Sequence, residues 1–246
     1  MKTVFCCVAL FCLAEIAQGA FIQCKLKDPK VNECIINQLR TLWIPNLKKA
    51  YPEYGVPTMD PHFLGDIKVT QGNKQVGLNY TASDVLFYGL STLEIKKVDF
   101  NQRKREFNLW YFNKKFVQLN KYVAKGKILL FPINGHGKSN ITILNSNVHI
   151  TLKYDIVPDT KTNVKYVKVK SLDYRAKPGK AFMNFENLFN GDKYLSKQIN
   201  DVINMNSDDL LPSFSPGVEK AIAQAWMGLA SDFFSKISYD ELFIQE

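Results

Sequence analysis

Cysteine is scarce. The 246-residue chain has five, and three of them, Cys6, Cys7 and Cys12, fall in its first twelve positions, so the rest cannot build a disulfide-dense scaffold or a cysteine metal cluster. Histidine is scarcer: His62, His136 and His149 are the whole supply. They are far apart in sequence, and the alternation around His149 puts it on the polar side of a strand, which argues against metal ligation. Thirteen glycines and ten prolines are too few for a collagen-like or low-complexity chain. With 46 % hydrophobic and 22 % charged residues, disorder is excluded too. The length suffices for one large domain with a substantial core.

Catalytic loops are missing as well. Gly137-Lys138-Ser139 ends like a phosphate-binding loop, but the leading glycine of that motif would fall at Pro132. Gly135-x-Gly137 meets Asn140 where a dinucleotide loop requires glycine. Both read as part of a hairpin turn, Asn134-Gly135-His136-Gly137. Gly89-Leu90-Ser91-Thr92-Leu93 lacks the closing glycine of a nucleophile elbow, which leaves Ser91 as a weak candidate for a lipid-ester hydrolase. The expectation is a binding protein rather than an enzyme, with no cofactor and no metal.

What is present begins with an address. Met1-Lys2, the apolar run Val4–Leu13 and the small residues of Ala17-Gln18-Gly19 read as a signal peptide over 1–19, followed by a single domain over 20–246. The apolar run is well short of the roughly 20 residues of a membrane span, so the protein is expected to be secreted and extracellular. Removing the segment takes out one base, Lys2, and one acid, Glu15, and leaves the net charge of +9 unchanged. Only Cys24 and Cys34 then remain, and in an oxidising compartment they predict one bridge, stabilising by about 2 to 3 kcal/mol. Asn79-Tyr80-Thr81 and Asn140-Ile141-Thr142 are glycosylation sequons, and strand alternation turns both asparagines to water. Lys96-Lys97, Arg103-Lys104-Arg105 and Lys114-Lys115 lie among Phe107, Trp110, Tyr111 and Phe112. Such a mixture can bind nucleic acid, but a secreted address argues against that partner. Solvated strand faces, or a docking surface for an anionic membrane or glycan, fit better.

Along the chain the pattern is helix, strands, helix. Asp28-Pro29 opens a helix over Pro29 to about Ala50, with Val31, Ile35, Leu39 and Leu42 at helical spacing and Trp43 beside them; Pro45 should kink or split it. The segment 51–61, with Pro52, Pro57, Pro61 and Gly55, reads as loop. From Asp66 to Tyr174 the period is two, and turn residues at Gln71-Gly72-Asn73, Lys125-Gly126, Asn134–Gly137 and Pro158-Asp159 suggest an antiparallel meander. Val148, Ile150, Leu152, Tyr154 and Ile156 share one face of the clearest strand, and a phase change near Ser171 predicts a bulge. Helical spacing returns with Leu195, Ile199, Val202 and Ile203, and again with Val218, Ile222, Trp226, Leu229, Phe233 and Ile237. Ala221–Ala230 has Gln224 as its one polar residue, which predicts a helix enclosed by the sheet, with room beside its small side chains.

Several fragments in fixed order carry a resemblance: Cys24 and Cys34, Gly55-Val56-Pro57 with Asp60-Pro61, Gly89-Leu90-Ser91, Lys125 to Leu130, Pro132-Ile133-x-Gly135-x-Gly137, Asn187 to Asp192, and Glu241-Leu242-Phe243. Together they resemble the insect takeout and juvenile hormone binding protein family over nearly the whole mature chain. The lack of a cysteine beyond Cys34 makes the chain more similar to the takeout branch than to the haemolymph hormone carriers. The resemblance implies an α+β fold, a long C-terminal helix wrapped by a highly curved antiparallel β-sheet enclosing an apolar tunnel. The ligands implied are terpenoid hormones, fatty acyl chains, quinones or carotenoids, carried by a monomer. Candidate ligand-binding residues are then Val148, Ile150, Leu152, Tyr154 and Ile156 with Trp226, Leu229 and Phe233.

Overall fold

The computed structural model describes residues 24–72, 76–128, 130–189 and 191–244; the signal peptide expected over 1–19 lies outside them. The elements are β1 (Cys24–Lys25), α1 (Val31–Gln38), β2 (His62–Gly72), β3 (Val76–Tyr88), β4 (Glu94–Asn101), β5 (Glu106–Ile128), β6 (Phe131–Pro158), β7 (Lys165–Lys177), β8 (Lys180–Phe185), α2 (Lys193–Met205), α3 (Ser207–Ser235), α4 (Tyr239–Leu242) and β9 (Phe243–Ile244). β2 to β8 form one seven-stranded antiparallel sheet around the β5–β6 hairpin. β5 pairs with β4 through its first part and β3 through its second, while β6 pairs with β8 and then β7. A flat strand of the 28 residues of β6 would be roughly 90 Å long, so the sheet must bend. Register shifts at Ser83/Leu86, Ile95/Lys97 and Lys153/Tyr154 mark the bulges that roll it into a half-barrel. The last of these skips Lys170 between Val169 and Ser171, where the change of phase near Ser171 predicts it.

Two expected turns are not turns. Lys125-Gly126 lies inside β5 and Asn134–Gly137 inside β6, and the last pair of the hairpin is Ile128 opposite Phe131. The glycines serve close backbone approach. A Cβ on Gly126 would stand 2.0 Å from the Gly77 carbonyl oxygen, and one on Gly135 would stand 2.8 Å from Leu188 Cα. The first helix is also shorter than expected. It runs from Val31, passes into a π-helical stretch at Leu39–Trp43 and ends at Asn46, the widening falling just before Pro45, which has no N–H to continue an α-helical ladder. Asp28 does not cap it; its carboxylate accepts from the Lys30 amide at 2.7 Å in the preceding turn.

α3 closes the roll by packing against both edge strands, β7 and β2. On the β7 side, Glu219 accepts a hydrogen bond from the Ala176 amide at 2.9 Å and pairs with Arg175 at 3.2 Å. On the β2 side, Gly217 lets the helix approach so closely that a Cβ would lie 2.8 Å from Val69 Cγ1. The expectation that Ala221–Ala230 is shielded on every side is corrected: Ile222 is buried, but Gln224 and Gly228 are exposed. A half-barrel has only two edges to offer, and an alanine-rich flank carries too little apolar area for its exposure to cost much. Among the described residues no helix is long and apolar enough to cross a membrane.

α2 covers the free edge of β8 in an unusual way. The side-chain amide of Asn200 donates to the Phe185 carbonyl and accepts from the Phe185 amide, and Asn204 does the same with Met183. Two asparagines one helical turn apart thus stand in for a neighbouring strand. At the other end of the molecule β1 and β9 pair in parallel, Cys24 opposite Phe243, and the Cys24–Cys34 disulfide, with Cα atoms 5.9 Å apart, ties α1 to that corner.

Candidate ligand-binding site

Between the concave face of the sheet and α3 lie two cavities. The smaller, about 170 Å³, is walled by β2, β3, β5, β6, β7 and β8 and by α3 from Leu210 to Trp226, with Leu78, Phe116, Met183, Phe214 and Val218 among its apolar residues. The larger, about 430 Å³, lies between the later part of α3, the strands β4 to β7 and the segment Ile35–Met59, which supplies Leu39, Leu42, Trp43 and Leu47. A water needs roughly 10–15 Å³ measured in this way, so each is far more than a packing defect. Both surfaces are almost wholly carbon, and this sets what they can hold.

The predicted residues divide. Val148 lines the smaller cavity, Leu152, Tyr154, Leu229 and Phe233 the larger, and Trp226 both. Ile150 and Ile156 line neither; they pack in the core with Phe100, Tyr111 and Val167. The partial exposure of Trp226 and Leu229 accompanies their place in the cavity walls. Missed as site residues were Tyr111 and Tyr174 in the smaller cavity and the Leu39–Leu47 wall of the larger. The apolar stripe of the first helix was the available signal for that wall, since a stripe must face something.

Few polar atoms reach these cavities. The Tyr111 and Tyr174 hydroxyls hydrogen-bond to each other; burial, with Tyr174 beside it, pushes the Tyr111 phenol well up, and burial pushes Tyr174 up to about 12. Burial also pushes Tyr154 up to about 12, next to Tyr239 and with Arg105 in reach of both rings' hydroxyls. All these phenols stay protonated at neutral pH. Trp226 packs edge-on against Tyr174, ring centroids 5.5 Å apart at 80°, and Trp43 against Phe233 at the same separation and 79°. The indole Nε1 atoms of Trp43 and Trp226 are buried without a hydrogen-bond partner.

The other candidates lie away from the cavities' polar atoms. Ser91 donates its hydroxyl to Asp60, whose carboxylate also accepts from the Gly89 and Ser91 amides at 3.0 and 2.9 Å. Two of the motif fragments thereby meet, and the hydroxyl is committed to holding a turn. His149 is on the convex face, stacked on Trp110 at 4.3 Å and hydrogen-bonded to Asn108. Burial holds its imidazole below the ordinary value, against the pull of Asp173 and Glu106. Lys97 lies over Trp110 and Lys96 over Phe112 on the same face, so these pairs belong to the outer surface, while Phe107 and Tyr111 of the same stretch face the cavities. No group of three or more metal-ligating side chains exists among the described residues. Asn79 and Asn140 are both exposed.

Comparison with known proteins agrees with this architecture. The model of the haemolymph juvenile hormone binding protein family matches residues 3–244. The circadian clock-controlled protein daywake of Drosophila melanogaster is 25 % identical over 232 residues, which cover 91 % of this chain and 87 % of that protein. Its counterpart from Drosophila yakuba is 23 % identical over the same shares. The crystal structure of Takeout 1 from Epiphyas postvittana aligns with a TM-score of 0.79, covering 91 % of this chain and 99 % of that one at 24 % identity, a likeness of fold.

Proposed function

The chain belongs to the haemolymph juvenile hormone binding protein family, and from that premise we propose that it is a secreted monomeric carrier of one long hydrophobic small molecule. Terpenoid hormones, fatty acyl chains, quinones and carotenoids are the classes that fit. The observation that carries the reading is the pair of carbon-lined cavities between sheet and helix. An isoprenoid or acyl chain that buries roughly 400 Å² of apolar surface there gains about 10 kcal/mol. Immobilisation costs several kcal/mol of this, leaving an affinity in the micromolar to nanomolar range. The tyrosines and tryptophans supply a few donors that orient a carbonyl, hydroxyl or ring oxygen without the cost of a buried charge. Exposed Asn79 and Asn140 fit glycans on the outside of such a carrier.

The test uses the protein's own fluorescence and extraction. Of the three tryptophans, Trp43 and Trp226 line the cavities, while Trp110 is on the convex face. An apolar ligand should quench a large part of the emission, and Trp110→Phe should leave that quenching in place. Solvent extraction of the secreted protein followed by mass spectrometry should release an apolar molecule. No quenching by any member of the four ligand classes, together with an empty extract, would remove the reading.

A further inference from the structure

We propose that Trp226 sets the length of ligand the protein accepts, as a movable partition between the two cavities; this rests on the carrier reading above and deepens it. Several observations meet at this side chain. Alone among the described residues, Trp226 belongs to the walls of both cavities. Its indole packs edge-on against Tyr174, 5.5 Å away and at 80°. Tyr174 comes from β7, the same strand to which Glu219 pins the helix through the Ala176 amide. One ring from the helix and one from the strand thus close the passage between the cavities.

The closed arrangement leaves one donor unsatisfied. An indole N–H is a donor and nothing else, and Nε1 of Trp226 is buried with no partner, a state that costs free energy as long as it lasts. The side chain therefore has something to gain by moving. It also has somewhere to go: four residues on, on the same side of the helix, Ala230 lines the larger cavity with no more than a methyl group. From Phe234 at one end to Leu210 at the other, the lining positions of α3 span roughly 36 Å of helix axis, a single line interrupted at Trp226. A short ligand occupies the larger cavity and leaves the partition closed. A long one displaces the indole and runs on past Tyr174 towards Phe214.

The experiment compares linear alcohols of increasing length, dodecanol, hexadecanol and docosanol, by displacement of an apolar fluorescent probe from the full secreted chain. It is run on the wild type, on Trp226→Ala and on Trp226→Leu, the last keeping apolar bulk if the alanine variant folds poorly. The expected result is that the affinity for docosanol relative to dodecanol rises at least tenfold when the indole is removed. Equal ratios in wild type and folded variants overturn the partition and leave the carrier reading standing. Failure of the wild type to bind any of the three alcohols, with no displacement of the probe, overturns both.

Discussion

Asp60 is only 9 % exposed, and two effects compete at its carboxyl. Burial pushes the pKa up; hydrogen bonds from the Ser91 hydroxyl and the Gly89 and Ser91 amides, with the Lys48 charge, outweigh it and hold the group below the ordinary carboxylate value. A folded pKa below the unfolded one of about 3.9 means that the carboxylate stabilises the fold fully above that value. The contribution is lost as pH falls through the lower, folded pKa. Asp60→Asn should therefore cost about 2 kcal/mol at neutral pH, and the difference from wild type should shrink in acid, measured by urea unfolding at both pH values. Ser91→Ala should cost less and leave ligand affinity unchanged, as a turn-holding hydroxyl requires. The sequence displays Asp60-Pro61 and Gly89-Leu90-Ser91 as separate fragments 29 residues apart. What it does not display is that one fragment's carboxylate binds the other's amides, because that contact exists only once β2 and β3 have paired.

Among the elements, α2 and β8 offer the sharpest case. Asn200 and Asn204 occupy the amides and carbonyls of Phe185 and Met183 at an edge that would otherwise invite another strand. Replacing both with alanine should cost about 1–3 kcal/mol per site and raise self-association, seen as a lower melting temperature and increased light scattering; an unchanged melt would show the edge to be satisfied in another way. The helix itself was legible from Leu195, Ile199, Val202 and Ile203. The edge role was not, since asparagine on a helix reads as a solvated position. The same limit explains Gly126 and Gly135. Glycine marks either a reversal of the chain or a close approach of two backbones, and only the neighbours, Gly77 and Leu188, decide between them. The bulge beside Ser171 was legible because a change of phase is itself a sequence pattern.

For the molecule as a whole, the Cys24–Cys34 bridge and the β1–β9 pair fix one end of the segment that walls the larger cavity. Reducing the bridge should lower stability by about 3 kcal/mol and weaken ligand binding, read by urea titration and probe displacement with and without reductant; full retention of both would show that the wall is held by packing alone. The two-cysteine arithmetic made the bridge predictable, and the helical stripe made the wall's apolar face predictable. That this face borders an empty space rather than solid core was not legible, because the same leucines serve either. The β5–β6 hairpin has a kinetic consequence of its own. Its pairing runs in constant register from Ile128 opposite Phe131 to Glu106 opposite Lys153, so once the tip has formed, each added rung encloses only two more residues. Zippering outward from the tip keeps every loop closure cheap, and a protein with more strand than helix thereby acquires a local place to begin folding.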